Sequence, residues 1–124
     1  MKYVLMYTST PELMADVPAE RQQEVYQAIY GWFGKYADSF ADGGAELQEP
    51  TTATSVKSAP ADGAPVVVDG PFSEAKESIG GFSVVDVDDL DVAIGMAKEW
   101  PMLVLPGCAV EIRPIVDHSD DMPM

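Results

Sequence analysis

The chain has 124 residues, room for one hydrophobic core and close to the commonest domain size. Its 47% hydrophobic and 23% charged content excludes general disorder. Seven Lys and Arg against 21 Asp and Glu leave a formal charge of -14, which repels phosphate backbones and anionic lipid, so no nucleic acid and no membrane are expected as partners. The single cysteine, Cys108, excludes an intrachain disulfide and a thiolate metal cluster built from one chain. Residues Met1 to Tyr7 lack the longer apolar region and cleavage site of a signal peptide, and no apolar run approaches ~18 residues. A cytoplasmic protein is expected.

In chain order, Tyr3 to Tyr7 are β-rich and almost wholly apolar, which predicts a central strand. Ala19 to Asp42 contains no proline, and Val25, Ile29, Trp32, Tyr36 and Phe40 recur at helical spacing. A long helix is expected there, with Tyr26, Tyr30 and Phe33 widening its buried face and Gly43-Gly44 stopping it. Ala45 to Glu49 and Thr51 to Lys57 read as short extended pieces. Val66-Val67-Val68 follows a Pro- and Gly-containing turn, so a β-hairpin is inserted at about 51 to 69. Gly80 to Val87 reads as a strand. Asp88 to Asp91 caps a second helix, with Leu90, Ala93, Ile94 and Ala97 on its apolar face and Pro101 ending it. Ala109 to Val116 is the last strand, with Val110 and Ile112 inward and Glu111 and Arg113 on the other face.

This order predicts an α+β, ferredoxin-like fold: β-α-β-β-α-β with an inserted β-hairpin, occupying residues 1 to 116. Residues 117 to 124 form an acidic C-terminal tail. Both helices cover one face of the antiparallel sheet, so a second copy is expected on the bare face.

Among polar clusters, residues 69 to 82 are the densest. Asp69-Gly70-Pro71 sets a turn after a strand, and Gly80-Gly81 allows tight passage into the next. Asp69, Glu74, Lys76 and Glu77 lie close enough to converge. A carboxylate beside a lysine serves a general base whose substrate carries negative charge; solvated charges around a capped surface turn are the structural alternative. Arg113, two residues from Glu111, is a natural anchor for a carboxylate or enolate, or else an ion pair with Glu111 or Asp69 that pins the sheet. His118 with its neighbouring aspartates reads as a solvated tail, Asp86 to Asp91 as helix capping, and Cys108 as a small buried residue. Tyr3, Tyr7, Trp32 and Phe72 line an aromatic pocket or belong to the core.

Asp69-Gly70-Pro71-Phe72, with Glu74, Lys76-Glu77 and Gly80-Gly81-Phe82, resembles the motif of the Asp-Gly-Pro-Phe branch of the YCII-related family. The opening Met1-Lys2-Tyr3 and the closing Val110 to Pro114 fit the same family. The resemblance implies a dimeric α+β barrel, a homodimer, and a branch associated with sigma factors of the extracytoplasmic type. Elsewhere in the family a dehydrochlorinase of halogenated hydroxyquinols carries a proposed His–Asp dyad. This chain departs from that pattern, because its only histidine is His118.

The expected function is a small-molecule-binding protein or a cofactor-free acid–base enzyme, a lyase or isomerase acting on a small anionic or aromatic compound. Asp69 is its catalytic base, and Arg113, Lys76, Glu74, Phe72 and Tyr7 bind substrate. Neither cofactor nor metal is expected. The alternative is a non-catalytic accessory module acting on a protein partner in a sigma-factor-linked pathway.

Overall fold

A computed structural model describes residues 1–59, 61, 63–70 and 78–119. In chain order its elements are β1 (Lys2–Ser9), α1 (Pro11–Met14), α2 (Ala19–Lys35), β2 (Phe40–Glu46), β3 (Thr54–Lys57), β4 (Val66–Asp69), β5 (Ser78–Asp86), α3 (Leu90–Lys98) and β6 (Ala109–Pro114). Four strands form one antiparallel sheet in the order β2-β5-β1-β6, and β3 and β4 pair separately as an antiparallel ribbon. The architecture is mixed α+β.

Alternation along β1 divides the sheet. Tyr3, Leu5 and Tyr7 face the helices together with Val85, Val110 and Ile112, their partners or near neighbours across the sheet. Val25 and Trp32 of α2 and Ala93, Met96 and Ala97 of α3 are buried. Trp32 is the centre of this layer. Its ring meets Tyr7, Phe33, Tyr36, Phe40 and Trp100 edge-on at centroid separations of 4.9 to 6.2 Å. Its Nε1–H donates to the Met96 carbonyl at 3.0 Å, so the buried indole loses no hydrogen bond.

The first long helix is shorter than its periodicity predicts. It ends at Lys35, a 3-10 turn follows over Ala37–Ser39, and Phe40 already begins β2. Phe40 keeps the helical spacing because its ring, though on a strand, packs on the same Trp32. Gly43 and Gly44 therefore stop no helix; they lie within β2 at φ 112° and 119°. A Cβ on Gly44 would stand 2.7 Å from the Phe82 carbonyl oxygen, so glycine lets β2 close onto β5. Tyr26 and Tyr30 are exposed rather than part of the buried face, and Phe33 is only partly covered.

Asp89 caps α3 as its sequence predicts: the carboxylate accepts the Val92 N–H at 3.0 Å. Of the expected apolar face, Ala93 and Ala97 are buried and Ile94 partly so, while Leu90 is exposed and Met96 takes its place. The helix ends at Lys98, and Pro101 opens a 3-10 turn, Pro101–Val104. Lys35, Tyr36 and Glu99 tie the C-terminal ends of α2 and α3 together. The Lys35 ammonium and the Tyr36 hydroxyl each donate to Glu99, with 2.8 Å contacts from both.

Candidate functional site

The same alternation that buries Tyr3, Leu5 and Tyr7 turns Val4 and Met6 to the opposite face. Their partners there are Val84 and Phe82 on β5 and Arg113 and Glu111 on β6. The described helices α2 and α3 pack on the other side. The result is an apolar floor bordered by an ion pair: Arg113 Nε donates to Glu111 Oε2 at 2.7 Å. Phe82 is 36% exposed and Ile79 beside it 47%. The single Nε contact orients the guanidinium. Its Nη1 and Nη2 groups meet no hydrogen-bond partner among the described residues, which leaves a donor fork suited to a carboxylate or enolate. Arg113 pairs with Glu111 and not with Asp69.

Tyr7 lies on the other side of the sheet. It stacks on Trp100 at 4.2 Å, and its hydroxyl donates to Ser83 Oγ at 2.8 Å. Burial pushes the Tyr7 phenol above its usual 10.0, with the Ser83 bond pulling the other way, so at neutral pH it is a donor and not a base. Within one chain, Tyr7 and Arg113 therefore do not converge. Ser83, 7% exposed, is the hydroxyl partner that sequence reasoning missed. Its signal was its place between Gly81 and Val85 on an inward-facing register.

Asp69 ends β4 on the two-stranded ribbon and is exposed. Gly70 follows at φ 115°; its N–H donates to Ala53 O at 2.7 Å, and its carbonyl accepts from Ser55 Oγ at 2.8 Å. These bonds fix the turn through the backbone. The Asp69 carboxylate accepts no hydrogen bond among the described residues, and the backbone N–H groups of the turn it was expected to cap lie outside them. Phe72, Glu74 and Lys76 lie outside the described residues.

A surface cleft of about 490 Å³ is lined by Glu46, Leu47, Gln48, Glu49 and Thr52 between β2 and β3. Cys108 is half-buried, with its thiol pushed upward by desolvation and its sulfur 3.9 Å from Met14 Sδ. Among the described residues no group of three or more His, Cys, Asp or Glu could hold a metal ion. None of their helices is long and apolar enough to cross a membrane.

A family model for the YCII-related domain matches residues 1–119. The chain is 27% identical over 115 residues to an uncharacterized protein of Rhizobium meliloti (strain 1021), covering 93% of this chain and 92% of that protein. Its fold is similar to that of the 5-chloro-2-hydroxyhydroquinone dehydrochlorinase of Burkholderia phenoliruptrix AC1100, solved in complex with 2,5-dihydroxybenzoquinone. That likeness has a TM-score of 0.53 at 11% identity and covers 94% of each chain.

Proposed function

Because the chain belongs to the YCII-related family, we propose that it is a homodimeric small-molecule-binding protein performing cofactor-free acid–base chemistry on a small anionic or aromatic compound. The observation that carries the reading is the uncovered sheet face, where an apolar floor of Val4, Met6, Phe82 and Val84 meets the Arg113 donor fork. An aromatic ring lies on such a floor while a guanidinium holds its carboxylate, phenolate or enolate oxygen. Dihydroxybenzoquinone, which the structural neighbour binds, has this chemistry.

On this reading Asp69 removes the proton, and Arg113 carries the charge that develops on the substrate. Lys76, Glu74 and Phe72 are the further substrate contacts we assign from the sequence. Tyr7 acts from the helix side by holding Ser83 and with it the strand beneath the floor. The strand order β2-β5-β1-β6 fits a ferredoxin-like arrangement, whose bare face is covered by a second copy. Charge supports the same pairing. In a chain of net charge -14, Lys2 and Arg113 share this face with Asp86 and Glu111, which makes it close to neutral.

A thermal-shift screen against small carboxylates, phenols and quinols tests the proposal. A ligand at about 100 times its dissociation constant adds roughly 2.7 kcal/mol of stability. The expected result is a hit that Arg113→Ala abolishes, and whose turnover Asp69→Asn abolishes while binding remains. Hits that are indifferent to both substitutions contradict the assignment.

A further inference from the structure

A second surface lies on the far side of the sheet from Arg113, where Phe33 keeps one edge on Trp32, Phe40 and Trp100 and leaves the rest of the flank exposed among the described residues. Residues 25 to 34 contain no charged side chain, although 23% of the protein is charged. Within that run Tyr26, Tyr30 and Phe33 fall at i, i+4 and i+7, on one flank of α2 beside its buried stripe. They are 49%, 80% and 37% exposed. Aromatic enrichment with charge depletion on an exposed helix is the composition of an interface centre.

Gly31 and Gly34 supply an independent observation. A Cβ on either would meet nothing within 4 Å, so no packing inside the chain requires glycine there. Both cost the helix stability relative to alanine. The missing side chain of Gly34, at i+4 from Tyr30, leaves a notch beside that ring, and Gly31 opens a second one a turn earlier on the outer edge of the patch. Small residues at such places let a second helix approach closely.

We propose that this flank of α2 packs against the same flank of a second copy across a two-fold axis, with the rings of each copy seated over the glycine notches of the other. Charge selects that occupant. A basic partner would find no counter-charge along the stripe, whereas two chains of -14 approach with least repulsion where each is uncharged. Area agrees with it. The three rings expose on the order of 350 Å² per copy, close to half of the roughly 800 Å² that each partner buries in a stable interface. Gln23, Gln27, Gly31 and Gly34 border the rings and extend the patch.

The inference goes beyond the open-face homodimer proposed above and stands without it. The two surfaces lie on opposite sides of the sheet, so either alone gives a dimer and both together give an assembly larger than a dimer, which closes at four copies only where the two axes cross. Sedimentation velocity over the micromolar range, on the full chain and on Tyr30→Glu, Gly31→Gln and Phe82→Glu, separates them. Expected are an assembly larger than a dimer for the parent, two copies for Tyr30→Glu, two for Phe82→Glu and a weakened larger assembly for Gly31→Gln, with unchanged circular dichroism for the two α2 variants. A parent dimer that Tyr30→Glu dissociates and Phe82→Glu leaves intact keeps this inference and overturns the open-face pair. An assembly unchanged by both α2 substitutions, or a monomeric parent, overturns the α2 interface.

Discussion

The four-stranded sheet and the β3–β4 ribbon place opposite demands on their residues. In the large sheet, Leu5 and Val85 are wholly buried beneath Trp32, Met96 and Trp100, and each fully buried apolar side chain contributes about 1.5–3 kcal/mol. In the ribbon, Val56, Val66 and Val67 are exposed, and the clearest anchor is Ser55 bonding to the Gly70 carbonyl. A lone pair of four-residue strands is marginal in water. Asp69, the proposed base, is thus carried on the loosely held element and Arg113 on the rigid one. Stability and chemistry reside in different residues, and substitutions can separate them.

The largest effect is expected from Trp32→Ala. It removes the centre of the aromatic layer and the Met96 hydrogen bond and should cost about 3–5 kcal/mol in urea unfolding. Ser55→Ala comes next, at about 1 kcal/mol, because it leaves the Gly70 carbonyl short of a partner. Its effect should be local: faster hydrogen exchange over β3 and β4, with the β1 and β5 amides still protected. A uniform rise across both sheets would show that they unfold as one unit.

A pH dependence sharpens the comparison on the helix side. Hydrogen bonds from Lys35 and then Tyr36 hold Glu99 below its ordinary 4.5, so its contribution is complete above that value and is lost as pH falls through the lowered one. The Glu99 hydrogen bond raises Lys35 above 10.5, so its contribution is complete below that value and is lost as pH rises through the raised one. Between those limits Glu99→Gln should lower the melting temperature slightly and flatten the acid limb of its pH profile. Smallest of all is Arg113→Ala, an exposed pair worth about 0–1 kcal/mol. A large loss of stability there would make Arg113 a structural residue.

Much of this arrangement was legible in the residues. Alternation in Val110 to Arg113 assigned both faces of that strand, because a period of two has no other reading. The unbroken apolar run Tyr3 to Tyr7, by contrast, marks a central strand without saying which of its residues face the helices. The helix boundary was not legible. Phe40 continues the spacing of Trp32 and Tyr36, and a strand that returns to the same core copies a helical period. Gly43 and Gly44 looked like a stop because glycine marks both helix ends and close strand approach, and only the position of Phe82 decides between them. Site residues were legible as types but not as neighbours: nothing in the sequence says that Tyr7 and Arg113 stand on opposite faces.

The central claim is that ligand binds the open face and leaves the helix face undisturbed. Methionine methyl NMR reads both faces at once, since Met6 lies on the open floor and Met96, 2% exposed, lies under the helices. Titration with the carboxylate, phenol or quinol selected by the screen should move the Met6 methyl resonance and leave that of Met96 in place, with no Met6 movement in Arg113→Ala. Movement of Met96 with Met6 unchanged would put the ligand on the Tyr7 side and contradict the account.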